Sequence, residues 1–233
     1  MFVTIPLQTD SDFVLFNPTY ENFNVLFNES QLNLHSVSLP ISWLHQWKNK
    51  KWKTAFVFIP CMMSDKESAF KYNSYQYGGA VLIIYKKMPA LKYKFGVYYN
   101  SEFFGPFILP LLGIDWNVDK RLNIFGVLPG SMNVEYKLYP AKLHAGISFK
   151  SITNSCRLSE KRFIRINDNH FKLFADIYLQ KKHVITLEAG HSVLRKYQNG
   201  IRINGENDVV DFDVPDGFLF KVGYSFRIRT DAN

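Results

Sequence analysis

The chain has 233 residues, a formal charge of +8 and a 16% aromatic content, with 21 Phe and 13 Tyr against 4 Trp. Length admits one large domain or two small ones, and the aromatic weighting suits strand surfaces. The basic excess favours an anionic partner in general, but the Lys and Arg form no single stripe and no RNP-like motif is present, which argues against nucleic acid.

Helical periodicity is nearly absent, and period-two alternation recurs throughout. "MFVTIPL" and "DFVLFNPTYENFNVLF" read as strands joined by "QTDSD". Around 36–47, Val37, Leu39, Ile41, Trp43 and Trp47 oppose Ser36, Ser38, Ser42 and Gln46. Strands at 53–63 and 75–86 follow, apolar on both faces in places. In "LKYKFGVYYN" Leu91, Tyr93, Phe95, Val97 and Tyr99 oppose Lys92, Lys94 and Gly96. Strands are expected at 107–118 and 121–128, then at 131–138, where Met132, Val134, Tyr136 and Leu138 oppose Asn133, Glu135 and Lys137. At 142–150, Leu143, Ala145, Ile147 and Phe149 oppose His144, Ser148 and Lys150; near 171–179, Phe171, Leu173, Ala175 and Ile177 oppose Lys172 and Asp176. A strand at 183–195 precedes "FLFKVGYSFRIR" at 218–229, whose Phe218, Phe220, Val222, Tyr224, Phe226 and Ile228 oppose Lys221, Gly223, Ser225 and Arg227.

The connections carry a second pattern. "KNKK", "KKMPA", "VDKR", "YPAK" and "QKK" are short polar links, whereas 64–74, 100–107, 151–170 and 197–216 read as longer irregular loops; "LPGS" at 128–131 is the exception. Alternating short turns and long loops, with strands of roughly 9–11 residues, are the pattern of an up-and-down barrel crossing an outer membrane. The expectation is an all-β, transmembrane antiparallel up-and-down β-barrel of about 12–14 strands, forming one domain over 1–233. The apolar faces would meet lipid, with Trp47, Trp52, Tyr75, Tyr99 and Trp116 near the interfaces.

The opposite faces carry charges of both signs. The lumen-lining candidates are Lys92, Lys94, Asp115, Glu135, Lys137, His144, Lys150, Asp176, Glu188, Lys221 and Arg227. Paired, they fill a narrow interior; with cations in excess, they line a small pore for anionic solutes.

Catalytic and metal residues are not expected. His191 lies on the side of Leu187 and Ala189, while Glu188 and Ser192 lie on the other, so a base and a nucleophile diverge. The six histidines show no paired ligand spacing, and "NGIRINGENDVVDFDVPDG" at 199–217 lacks the spacing of a calcium loop. Cys61 and Cys156 lack a CxxC spacing and read as two buried thiols rather than one disulfide. No cofactor is expected.

The final strand resembles the sorting signal of outer-membrane barrel proteins: polar Lys221, then Gly223, then hydrophobic Phe226 and Ile228. It departs from the bacterial pattern in continuing with "TDAN" rather than ending on an aromatic residue. "GVYYNSEFFGPFILPLLGIDW", "LNIFGVLPGS", "SITNSCRL" and "LEAGHSVLRKY" resemble segments of an uncharacterised family of outer-membrane β-barrel proteins of Gram-negative bacteria, from about residue 75 to the end. The resemblance implies a bacterial outer-membrane location, with membrane lipid and the barrel-assembly machinery as partners. The function expected is non-enzymatic, structural or a porin-like passive pore. The alternative is a soluble β-barrel or sandwich binding an apolar ligand or an anionic polymer. The longest apolar run, "AVLIIY" at 80–85, is far short of a spanning helix of roughly 18 residues. "MFVTIPLQTD" has no signal-peptide features. With thirteen strands counted back from the final one, the full-length protein is expected to begin with a further strand and a signal peptide.

Overall fold

The computed structural model describes residues 5–8, 12–27, 30–65, 74–179, 183–212 and 214–226. They hold sixteen strands: β1 (Ile5–Gln8), β2 (Asp12–Phe16), β3 (Thr19–Phe27), β4 (Ser30–Ser38), β5 (Ile41–Gln46), β6 (Trp52–Asp65), β7 (Tyr75–Met88), β8 (Leu91–Glu102), β9 (Gly105–Asn117), β10 (Leu122–Leu128), β11 (Ser131–Tyr139), β12 (Leu143–Arg157), β13 (Arg162–Tyr178), β14 (His183–Ile203), β15 (Glu206–Phe212) and β16 (Gly217–Phe226). No helix occurs among the described residues.

The number exceeds the twelve to fourteen expected because three long runs are broken. The breaks fall at Asn17–Pro18, at Leu39–Pro40 and around Pro215. Proline cannot donate to a ladder, so each interrupts its strand.

From β5 to β14 each strand pairs antiparallel with the next in sequence, apart from the added β4 edge on β6. β1 pairs with β2, β2 with β5, and β3 with β4; the far end of β14 pairs with β15 and its near half with β16. The meander does not stay a simple ring. A parallel bridge between Ser64 and Arg157 joins β6 to β12, closing β6 through β12 into a seven-stranded barrel, with the remaining strands outside that ring.

The stretches 100–107, 151–170 and 197–216, read as loops, are largely strand. β12, β13 and β14 run for 15, 17 and 21 residues. They are rich in Asn, Ser, Asp and Arg, a polar mix in which Asn and Asp have low strand propensity. Their alternation persists nonetheless: Ile164, Ile166 and Asp168 are buried, while Arg165, Asn167 and Asn169 are partly exposed. The turns at Phe103–Phe104 and Asn204–Gly205 are therefore tight.

The two halves of the molecule pack by opposite rules. At the end carrying the Ser64–Arg157 bridge, Leu34, Met63, Cys156, Ile164, Ile166 and Tyr197 form a buried apolar core. Both cysteines are free thiols at this core, with Cys156 buried and Cys61 at its edge. Towards the short-turn end the apolar side chains face out. Phe95, Val97, Ile108, Leu112, Val134, Tyr136, Ile147 and Leu173 are exposed there, and Phe218, Phe220, Val222 and Tyr224 on β16 are 65–84% exposed. Leu91 shares the outward parity yet is buried. On the inner side, close packing is set by glycine: a Cβ on Gly146 would stand 2.0 Å from Val134 O and 2.8 Å from the Phe174 ring.

Candidate functional site

The inner face of β8 to β14 and β16 carries a belt of polar side chains, placed there by the ladder register. Lys92 pairs in register with Asp115, and Lys94 Nζ lies 2.6 Å from Asp115 Oδ1. Asn123 donates to Glu135 at 2.9 Å, and Glu135 Oε2 lies 3.2 Å from His144 Nδ1. His144 is 1% exposed, its Nε2 is 3.0 Å from Pro140 O, and its ring stands 4.7 Å from that of Tyr178. Asp176, opposite His144 in register, accepts from Thr186 Oγ1 at 2.5 Å. Lys172 Nζ donates to Glu188 at 2.8 Å, and Glu188 stands opposite Lys221.

By ladder register ten of the eleven residues named from the sequence share one face of the sheet, and Arg227 lies outside the described residues. Asp176, Glu188 and Lys221 stand on strands beyond the seven-stranded ring, and Lys150 and Lys221 are exposed. The structure brings Lys94 to Asp115 and Glu135 to His144, and it ties Glu188 to Lys172, which parity had placed inward but which was not singled out. Lys92, Lys137, Lys150 and Lys221 make no ion pair among the described residues. The inner face is also partly apolar, through Phe107, Leu109, Leu111, Phe125 and Phe174. The sorting-signal residues Lys221 and Gly223 sit on the inner face of β16, while Ile228 lies outside the described residues and Phe226 is described only by its backbone pairing with His183.

Two clusters lie beyond the belt, on segments read as loops. In the first, Asp168 accepts a short hydrogen bond from Ser192 Oγ, and its Oδ2 lies 3.3 Å from His170 Nε2 and 3.5 Å from Arg195 Nε. Burial works to raise the Asp168 pKa, but the bonds from His170 and Ser192 and the nearby charges of His170 and Arg195 outweigh it and hold the carboxyl below its ordinary range. Here the carboxylate stands between the hydroxyl and the imidazole. In a nucleophilic relay the imidazole must stand in the middle. His191 faces the other way, edge-on to Phe218 with ring centroids 5.2 Å apart.

The second cluster is centred on Glu102, which is 6% exposed. Its carboxylate accepts from Gln76 at 2.9 Å, Ser155 at 2.5 Å and Asn100 at 2.5 Å, and Ser155 Oγ also accepts from Phe103 N–H at 2.8 Å. Burial pushes the Glu102 pKa up, partly offset by those hydrogen bonds. Both clusters were missed because "SITNSCRL" and "RFIRINDNH" look like loops by composition; their alternation was the available signal.

A family model for Domain of unknown function (DUF6268) matches residues 12–204. The chain belongs to this family. No curated protein and no solved structure matches it. The DUF6268 match runs from the start of β2 to the turn after β14, so it takes in the whole inner belt except Lys221.

Proposed function

We propose that this DUF6268 protein is a non-enzymatic β-barrel of the bacterial outer membrane, with a structural or passive transport role. One contrast carries the reading. On β13, Lys172 is 9% exposed, whereas its neighbours Phe171 and Leu173 are 51% and 64% exposed. In water that inversion would desolvate an ammonium while wetting two large apolar groups. In a bilayer the exposed face meets hydrocarbon and the cation keeps its partner inside.

The dimensions agree. On β7 the outward residues run from Tyr77 through Val81 and Ile83 to Tyr85. At about 3.3 Å per residue and a tilt of 35–45° this covers roughly 20 Å, close to the apolar band of an outer-membrane barrel. Aromatic residues mark both of its edges: Trp52 against Tyr85 with centroids 4.6 Å apart, and Phe58 against Tyr77 at 6.3 Å. The spanning segments on this reading include Tyr77–Tyr85, Tyr93–Tyr99 and Phe171–Tyr178. The buried core of Leu34, Met63, Cys156 and Ile164 lies past them and packs as an aqueous domain does. The final-strand signal and the resemblance to outer-membrane barrels support the location.

Inside, Lys92, Lys137, Lys150 and Lys221, which make no ion pair among the described residues, suit small anionic solutes, while the Ser64–Arg157 seam narrows one end. Purified protein in planar bilayers should conduct ions with a preference for anions. Lys92→Glu with Lys137→Glu should reverse that preference. Absence of conductance in correctly folded protein would leave the structural role and remove the transport role.

A further inference from the structure

The β10–β11 hairpin is shorter than the strands beside it. β9 pairs with β10 only from Leu112 to Asn117, and β12 pairs with β11 only from Leu143 to Lys150. Residues 105–111 of β9 and 151–157 of β12 therefore face each other with no strand between them, above the turn at 129–130. At the foot of this notch Ser151 N–H donates to Gly130 O at 2.9 Å; at its head Arg157 meets Ser64. The outer face beside it is apolar, with Ile108 and Leu112 each 63% exposed.

A cavity of about 320 Å³ lies behind the notch. Phe107, Leu109, Leu111 and Ile152 give it an apolar wall, and its charged residues are Lys150 on β12 and Glu21 across from it on β3. The volume is at the lower end of small-molecule sites, which are mostly apolar with a few placed polar groups.

The β9 edge shows what kind of ligand the notch admits. Pro106 and Pro110 share one parity, and the β8–β9 ladder stays in register from Leu91–Trp116 to Glu102–Gly105. Proline has no N–H to give, so an unbroken ladder places the missing donors of both residues on the open side. An edge left with the single Ile108 N–H between two prolines resists an added peptide strand. It tolerates an apolar chain.

We propose that this cavity binds a single-chain amphiphile with a monoanionic carboxylate head. The head sits on Lys150 and the acyl chain lies along Phe107, Leu109, Leu111 and Ile152, entering sideways through the notch. Lys150 is exposed along the cavity wall and makes no ion pair among the described residues, so its ammonium is open to an incoming carboxylate. Glu21 opposite disfavours a dianionic head, which selects a carboxylate over a phosphate monoester. The sideways route rests on the membrane reading; binding in the cavity does not.

The test uses the full chain in phosphatidylcholine nanodiscs and, separately, in amphipol. The probe is palmitic acid carrying a diazirine at the far end of its chain. Photolabelling should concentrate on peptides covering 105–109 and 152–154, the end of the cavity away from Lys150. Unlabelled palmitate should compete better than methyl palmitate or monohexadecyl phosphate. Lys150→Gln should weaken palmitate binding by about tenfold or more, as loss of a charge-assisted contact does, and leave methyl palmitate unchanged. Glu21→Gln should tighten it. Those opposite signs are not what general damage to the fold produces. Label spread evenly along the outward residues, or affinity unmoved by both substitutions, would overturn the site. Cavity labelling in amphipol by a protein that fails to float with lipid vesicles would keep the site and remove the membrane reading.

Discussion

Ser64 and Arg157 pair across a parallel bridge although β6 and β12 stand six strands apart in the meander. The bridge sets two compartments side by side at that end. One holds the apolar core around Cys156, and the other holds the Glu102 cluster. Next to the bridge, the Arg157 guanidinium lies 4.1 Å from the centre of the Phe103 ring and donates to Glu160 O at 3.1 Å.

Arg157→Ala should therefore loosen the seam, costing about 1–2 kcal/mol for a partly desolvated cation–π contact. Urea unfolding in lipid vesicles, run as a double-mutant cycle with Phe103→Leu, checks this. Additive losses would show that the two side chains are not coupled.

Placement of an arginine should report which face meets hydrocarbon. Ile147 is 56% exposed on the outer face of β12, and Ile147→Arg should destabilise by roughly 2–4 kcal/mol near the bilayer midplane. Asn133→Arg, on the inner face of β11, should stay within about 1 kcal/mol. Ser148 is a poor inner control, because it is buried directly opposite Lys172. Reversible folding into vesicles gives both numbers, and equal costs would contradict the face assignment.

The Glu102 carboxyl, beyond the apolar band, is held above its ordinary pKa by burial. Folding then favours its protonated form, so the native state binds more protons than the unfolded chain between the ordinary and the raised value. Stability should be highest below that window and fall as pH rises through it. Denaturation midpoints measured across about pH 4–8 should show the fall, and Glu102→Gln should flatten it. A rise through the same window, abolished by the same substitution, would reverse the sign of the shift.

Much of this was legible in the sequence where one physical constraint acted alone. Alternation in "LKYKFGVYYN" and "KLHAGISFK" placed Lys92, Lys94, His144 and Lys150 together on one face, since parity needs no knowledge of neighbours. Ion pairs needed register as well. Lys94 meets Asp115, and Lys172 meets Glu188, because of how the strands slide against one another. The strands past the apolar band were hidden by their polar composition, so Asp168, Glu102 and Ser155 went unread. The Ser64–Arg157 bridge left no local trace, because it joins chain segments nearly a hundred residues apart.

The most direct test of the membrane reading is a nitroxide scan of β13 from Phe171 to Ile177, one cysteine at a time, in protein carrying Cys61→Ala and Cys156→Ala and reconstituted in lipid vesicles. Lipid contact predicts high collision rates with dissolved oxygen at 171, 173, 175 and 177. Low rates are expected at 172, 174 and 176, whose native Lys172, Phe174 and Asp176 lie on the inner face, level with Ser148, Gly146 and His144 of β12. High collision with a water-soluble nickel chelate at the odd positions would place that face in water and contradict the proposal.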